Sequence, residues 1–327
     1  MPAFGAIAYM TATSSQKPAW AGDDWLAKAV NRLIQIKPLY ALMKRQARQV
    51  MIKTAEKNGI SWRQIRAQYE ASDIAAQLPA VTNSTVIYPD YYQVPFHAYD
   101  AGNLCWPAAF EAESATYAMA LRIWPDENLT WQAAQDRLRG SFHEVLTDYL
   151  TGPVQDALDV GCSVGISTQT LHRFLQGRSP AVQTIGLDLS PHMLAVARAR
   201  DSRGEIARWL HVNAEQTQLP SQSFDLVSLQ FVTHELPRTA SCAIFQEALR
   251  LLRPGCTLAI ADNNPQSRVI QKLPPAIFTL MKSTEPWTDD YYTFDIEAAL
   301  AGVGYQRIIT RETDPRHRAI LAQKPSL

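Results

Sequence analysis

The sequence carries no net charge, with 31 Lys plus Arg against 31 Asp plus Glu, so no chain-wide basic field points to nucleic acid. Cysteine is scarce: Cys105, Cys162, Cys242 and Cys256 are widely spaced and form no C-x-x-C pair. That pattern suits neither a zinc site nor a secreted disulfide framework, and it points to a reducing, cytoplasmic setting with no metal. Long apolar runs are missing as well. The stretch LVSLQFV at 226–232 falls far short of the roughly 18 residues of a membrane span. The opening MPAFGAIAYMTATSSQKPAW has neither the basic n-region of a signal peptide nor the arginines of a transit peptide, and residues 1–22 read as a flexible tail. No repeat or low-complexity tract occurs. What is present is 327 residues with 46% hydrophobic and 19% charged side chains, the balance of a globular chain long enough for one large or two ordinary domains.

A boundary is expected at Thr151-Gly152-Pro153, whose Gly-Pro pair breaks a preceding helix. Residues 23–152 then form a mostly helical and aromatic region, and 153–327 a second domain. Within the first, DDWLAKAVNRLIQIKPLYALMKRQARQVMIKTAEKNG predicts two helices split at Pro38, capped at Asp23 or Asp24 and stopped at Asn58-Gly59. Lys28, Arg32, Lys37, Lys44, Arg45, Arg48 and Lys53 make this stretch basic. Peripheral contact with an anionic membrane and a merely solvated face are both open readings. Further helices are expected over 106–123 and 129–150. The segment from Tyr88 to Asn103, dense in aromatics and turn residues, has no helical period and is expected to cover a ligand or to clamp two domains.

Beyond Val154, β-rich runs at 156–160, 184–188, 209–212, 224–231, 257–261, 306–310 and 319–322 alternate with helical stretches, notably 166–175, 191–200 and 239–252. This predicts an α/β fold, a Rossmann-like doubly wound seven-stranded sheet, with ligands outside the carboxyl ends of its strands. The first strand runs through Asp159-Val160-Gly161-Cys162-Ser163-Val164-Gly165 directly into a helix, a small-residue turn that offers backbone N–H groups to a nucleotide-like cofactor. A nicotinamide fingerprint would want Gly at 163 and 166, where Ser163 and Ile166 stand. The second strand ends at Asp188, which can accept both hydroxyls of a ribose while Leu189 packs on a base. Ser190 and Pro191 open the next helix.

LDVGCSVG, GLDLSPHMLAVAR, HVNAEQTQLP, FDLVSLQFVTHEL and LRLLRPGCTLAIAD stand in the order and spacing of the class I S-adenosylmethionine-dependent methyltransferases, and 150–327 resembles their ubiquinone/menaquinone C-methyltransferase-like group. The Tyr-Pro-Asp-Tyr-Tyr segment is reminiscent of uncharacterised cyanobacterial and plastid methyltransferases. The resemblance implies S-adenosylmethionine as cofactor, with Gly161, Cys162, Ser163 and Gly165 around its methionyl part. Asp159 would orient that turn or reach the amino group through water. It implies Asp188 on the ribose, Asn213 and Ala214 at the adenine, and Gln230 in the methionyl pocket. The LRPG turn at 252–255 is expected as a hairpin into the fifth strand.

Methyl transfer needs alignment, and a base only when the acceptor arrives protonated. His234 with Glu235, after the fourth strand, is one candidate for acid-base work. His97 with Tyr99 and Asp100 is a second, and Asp262-Asn263-Asn264 a third. Tyr91, Tyr92, Phe278 and Tyr291 suggest an apolar acceptor wall. The expected function is methylation, on O or C, of a small aromatic or lipophilic acceptor. The alternatives are an S-adenosylmethionine-binding protein without transferase activity and a nicotinamide oxidoreductase. The sequence is silent on the oligomeric state.

Overall fold

In a computed structural model, residues 37–97 and 99–326 are described. The expected tail, the first basic helix and its Lys28 and Arg32 lie outside them. The chain opens on helices α1 (Lys37–Lys57), α2 (Trp62–Glu70), α3 (Trp106–Leu121) and α4 (Trp131–Tyr149), the last capped by the Thr130 hydroxyl, which accepts from the Ala133 amide. Then follow β1 (Asp156–Val160), α5 (Ile166–Gln176), β2 (Gln183–Asp188), α6 (Pro191–Arg200), β3 (Arg208–His211), β4 (Phe224–Gln230), α7 (Arg238–Leu251), β5 (Leu252–Asn263), α8 (Ile296–Val303), β6 (Gln306–Glu312) and β7 (His317–Gln323). The strands form one seven-stranded sheet in the order β3-β2-β1-β4-β5-β7-β6. Neighbours from β3 to β5 run parallel, and β7 pairs antiparallel with both β5 and β6. Strand order therefore reverses between β1 and β4, which places the crevice for a ligand at their carboxyl ends.

Alternation along the strands divides the core. Leu158, Val160, Val227, Leu229, Leu258, Ile260 and Ile320 face α7 and α8, whereas Ala157, Leu226, Ala259 and Leu321 face Phe142, Leu146, Leu171 and Leu175 of α4 and α5. Each fully buried leucine contributes about 1.5–3 kcal/mol. The expected LRPG hairpin is instead the start of β5. Between Phe224 and Leu226 of β4 the partner jumps from Leu252 to Thr257, and Gly255 absorbs the bulge at φ +77°.

The N-terminal helices lie on this sheet domain. Ile74, Ala109 and Phe110 pack against Met193 and Val196 of α6. Helix α3 is buried on several sides and carries two acids. Glu111 takes Arg48, Arg66 and the Tyr99 hydroxyl, so Arg48 turns inward and does not add to an outer basic face. Glu113 pairs with Arg200 of α6 and accepts hydroxyls from Tyr69 and Tyr117. Burial opposes the Glu113 charge, but Arg200 and the hydroxyls outweigh it and hold the carboxyl below its usual value. Among the described residues no helix is long and apolar enough to cross a membrane.

Removing Glu113 would strand Arg200 in a largely buried place. Glu113→Gln should lower urea-unfolding stability by about 3–5 kcal/mol at neutral pH. Because the carboxyl is depressed in the fold, its contribution is present above the unfolded value near 4.5 and is lost as pH falls through the folded value. The gap between wild type and variant should therefore close in acid; a constant gap down to pH 3 would assign the effect to packing.

Candidate functional site

The turn after β1 has no spare room. A Cβ on Gly161 (φ +70°) would lie 2.6 Å from Val232 Cγ2, and one on Gly165 (φ +80°) 2.6 Å from the Trp209 ring. Ser163 takes φ +48° despite its β-carbon, at a cost of roughly 1–2 kcal/mol. The strain sits where the chain needs it: the Ser163 amide donates to Asp188 Oδ2 at 2.7 Å, while the Gly161 and Cys162 amides donate to Leu187 O at 2.8 and 2.9 Å. Cys162 is buried, and burial pushes its thiol well up, so it fills space and is no nucleophile.

Asp188 Oδ1 accepts from the Ser190 amide at 2.7 Å. Burial drives this carboxyl up to about 6 against the pull of its amide donors. Each oxygen keeps a lone pair for a ligand hydroxyl. Asp159 is 1% exposed; its Oδ2 accepts from Ser167 and Thr168 at 2.9 and 2.7 Å, and its Oδ1 has no partner. At the end of β3 the Asn213 side chain accepts from the Glu215 amide at 2.9 Å, a local turn that exposes the loop edge beside half-buried Ala214 and Leu189. The aromatic segment closes over this half. Tyr91 donates to Glu215 at 2.5 Å, the Asn83 amide donates to His211 Nδ1 at 2.9 Å, and the Ser190 hydroxyl donates to Asn103 O at 2.7 Å.

Beyond the end of β4 a second group of polar side chains gathers. Asp262, at the end of β5, accepts from the Thr233 hydroxyl and from the His234 amide, and its Oδ1 lies 2.7 Å from His234 Nδ1. Burial disfavours the His234 cation, but Asp262 outweighs it, so the imidazole is raised well above 6.5 and Asp262 is held low. Glu235 is pushed up to about 8 by burial, with Glu285 adding and the His234 cation opposing. His97 Nε2 comes within 3.8 Å of Glu235 and 4.0 Å of Glu285. Its side chain is 42% accessible to solvent. The surrounding protein and the His234 cation both depress its imidazole, which is neutral at pH 7. His97 holds φ +47°, anchored by its amide to Thr284 O at 3.0 Å and by the Phe96–Tyr99 bridge.

Two widely separated sequence candidates, His97 and His234-Glu235, thus meet in space, and Asp262 supports them. Tyr99 does not join them; it is spent on Glu111, and Asp100 is exposed on the same turn. Phe278 and Tyr291 correct an expectation: each is 1% exposed and belongs to the main core, where Tyr291 donates to Asn263 O and sets its ring against His234 from behind. Tyr92 stands beside Asp188 and Glu235. Glu285 escaped sequence reading because an acid in a polar loop looks solvated. Arg139 escaped it too. A cleft of about 520 Å³ lined by Trp124, Arg137, Glu144 and Asp314 shares none of these groups.

Residues 158–260 match the family described as methyltransferase domain. Among curated proteins, the chain is 28% identical over 151 residues to demethylmenaquinone methyltransferase of Tropheryma whipplei, covering 44% of this chain and 59% of that protein. It is 28% identical over 134 residues to mitochondrial 2-methoxy-6-polyprenyl-1,4-benzoquinol methylase of Caenorhabditis elegans, covering 39% and 46%. The chain thus spans about half the length of these relatives. Among solved structures, Haemonchus contortus phosphoethanolamine N-methyltransferase 2 with S-adenosyl-L-methionine aligns at 18% identity and TM-score 0.44, over 57% of this chain and 53% of that one. The matched segment is thus similar to a methyltransferase domain, and the cofactor that the sequence implies for it is S-adenosylmethionine. The glycine cradle, the bare Oδ1 of Asp159 and the amide-held Asp188 fit that molecule's amino-acid and ribose ends.

Asp262→Asn tests the histidine pair. In the wild type, proton NMR should find His234 charged and not titrating between pH 5 and 8, and in the variant it should titrate there at or below 6.5. With its folded value raised, the pair stabilises the fold fully below 6.5 and less as pH climbs through that value. A wild-type His234 that titrates near 6.5 would refute the arrangement.

Proposed function

We propose that this methyltransferase domain moves the methyl of S-adenosylmethionine to oxygen or carbon of a small aromatic or lipophilic acceptor, such as a phenol or hydroquinone. The observation that carries this reading is the cluster in which His97 stands between the carboxyls of Glu235 and Glu285, beside the His234–Asp262 pair. When bound, the cofactor supplies an electrophilic methyl on its sulfonium. The residues then supply alignment and proton control. Glu235, near 8, is suited to take the proton of an acceptor hydroxyl, with His97 as an alternative or relay. His234, kept protonated by Asp262, is suited to stabilise the resulting oxyanion and is not the base. The relatives' printed names, which concern quinone-type molecules, support the acceptor class.

Two measurements test this. S-adenosylhomocysteine should raise the melting temperature and NAD should not, and Asp188→Ala should weaken that binding by roughly 1.5–3 kcal/mol. With methyl-labelled cofactor and a panel of phenols and hydroquinones, mass spectrometry should find the label in a small product. Glu235→Gln should lower turnover by about 10²- to 10⁴-fold and abolish the rising limb of the pH profile while S-adenosylhomocysteine affinity holds. Label found only in protein or nucleic acid, or full turnover in the variant, would overturn the proposal.

A further inference from the structure

Helix α4 buries a stripe of Gln135, Leu138, Phe142 and Leu146, and on that stripe stands a cation. Arg139 is 6% exposed. Its Nη1 donates to Gln230 Oε1 at 3.2 Å, and Gln230 Nε2 donates in turn to the Ser228 hydroxyl at 3.1 Å. Its Cζ lies 5.2 Å from the ring of Phe231, a bulky residue held at φ +61° directly after β4. Its Nε is buried with no acceptor. Among the described residues Arg139 forms no ion pair; Asp159 attracts it from a distance without touching it, and burial lowers it to about 10. A buried guanidinium without an anion in contact is strongly disfavoured, and an unmet donor adds to that.

Asp159 presents the complementary gap. Its Oδ1 is also buried and also without a partner, and Asp159 pairs in the sheet with Ser228, two residues before Gln230. One unmet cation against β4 and one unmet anion on β1 are therefore buried at the two strands between which strand order reverses. A ligand able to satisfy both would carry a carboxylate for the guanidinium and an ammonium for the carboxylate, as the end of an α-amino acid does.

We propose that Arg139 binds the carboxylate of the cofactor's methionyl end, with Asp159 opposite its ammonium. The proposal rests on the cofactor reading above. It places a cofactor-binding residue in the N-terminal helical region, ahead of the segment 158–260 matched by the methyltransferase family.

Calorimetry on the full chain separates the possibilities. Arg139→Met should weaken S-adenosylhomocysteine binding about 10- to 100-fold, the range of a charge-assisted hydrogen bond. Affinity for 5′-methylthioadenosine, which lacks the amino-acid end, should stay within about twofold by the same argument. The ligand-free variant should melt no lower than wild type, because an apolar side chain replaces an uncompensated buried charge. Should the variant fail to fold, the wild type alone decides: decarboxylated S-adenosylmethionine should bind at least about 10-fold more weakly than S-adenosylmethionine. Equal weakening of both nucleosides in the variant, or equal wild-type affinity for the two cofactor forms, would overturn the proposal. A wild type that binds S-adenosylhomocysteine normally while Arg139→Met changes nothing would sink this assignment alone. A wild type that binds no nucleoside at all would sink the cofactor reading with it.

Discussion

The turn between β1 and α5 has to pass between Val232 and Trp209 with no space for a side chain at Gly161 or Gly165. That confinement sets the rest of the site. It brings the Ser163 amide onto Asp188 and presses the Gly161 and Cys162 amides onto Leu187 O, while the buried Asp159 carboxyl accepts from Ser167 and Thr168 on the helix that follows. The strain at Ser163 and the burial of Asp188 and Asp159 are consequences of one tight crossing, repaid by the packing on both faces of the sheet.

The polar groups beyond β4 obey a second logic, in which neighbouring charges divide the protonation states. Asp262 stays ionised and keeps His234 protonated; burial raises both Glu235 and Glu285, with Glu285 adding to the rise at Glu235 and Asp262 to that at Glu285; burial, with the His234 cation, keeps His97 neutral. Similar residue types thereby acquire different tasks from their surroundings. None of these groups is isolated enough for its ordinary solution value to describe it.

The sheet was legible in the sequence because each strand is a short β-rich run followed by a turn residue, and Asp159, Gly161 and Asp188 stand at strand ends, beside the point where strand order reverses. What was not legible depended on distance along the chain. His97 and Glu235 are adjacent in space but lie in segments with no shared periodicity. Phe278 and Tyr291 have the composition of a pocket wall and the packing of a core, which only burial separates. Arg139 left a trace, a cation on the apolar stripe of a helix, but the trace identifies an oddity and not its partner. The LRPG segment resembles a turn by residue type and is a bulged strand because the neighbouring β4 still offers hydrogen bonds.

Glu113 and Arg200 have a consequence in time as well as in space. A chain emerging from a ribosome at about 5–20 residues per second presents α3 several seconds before α6. During that interval the acid, the tyrosines that serve it and the apolar side of α3 have no surface to settle on, since Met193 and Val196 do not yet exist. The N-terminal helices are thus a cover made before its vessel. Their final docking has to wait for α6, so the part synthesised first settles only after a later part has been made.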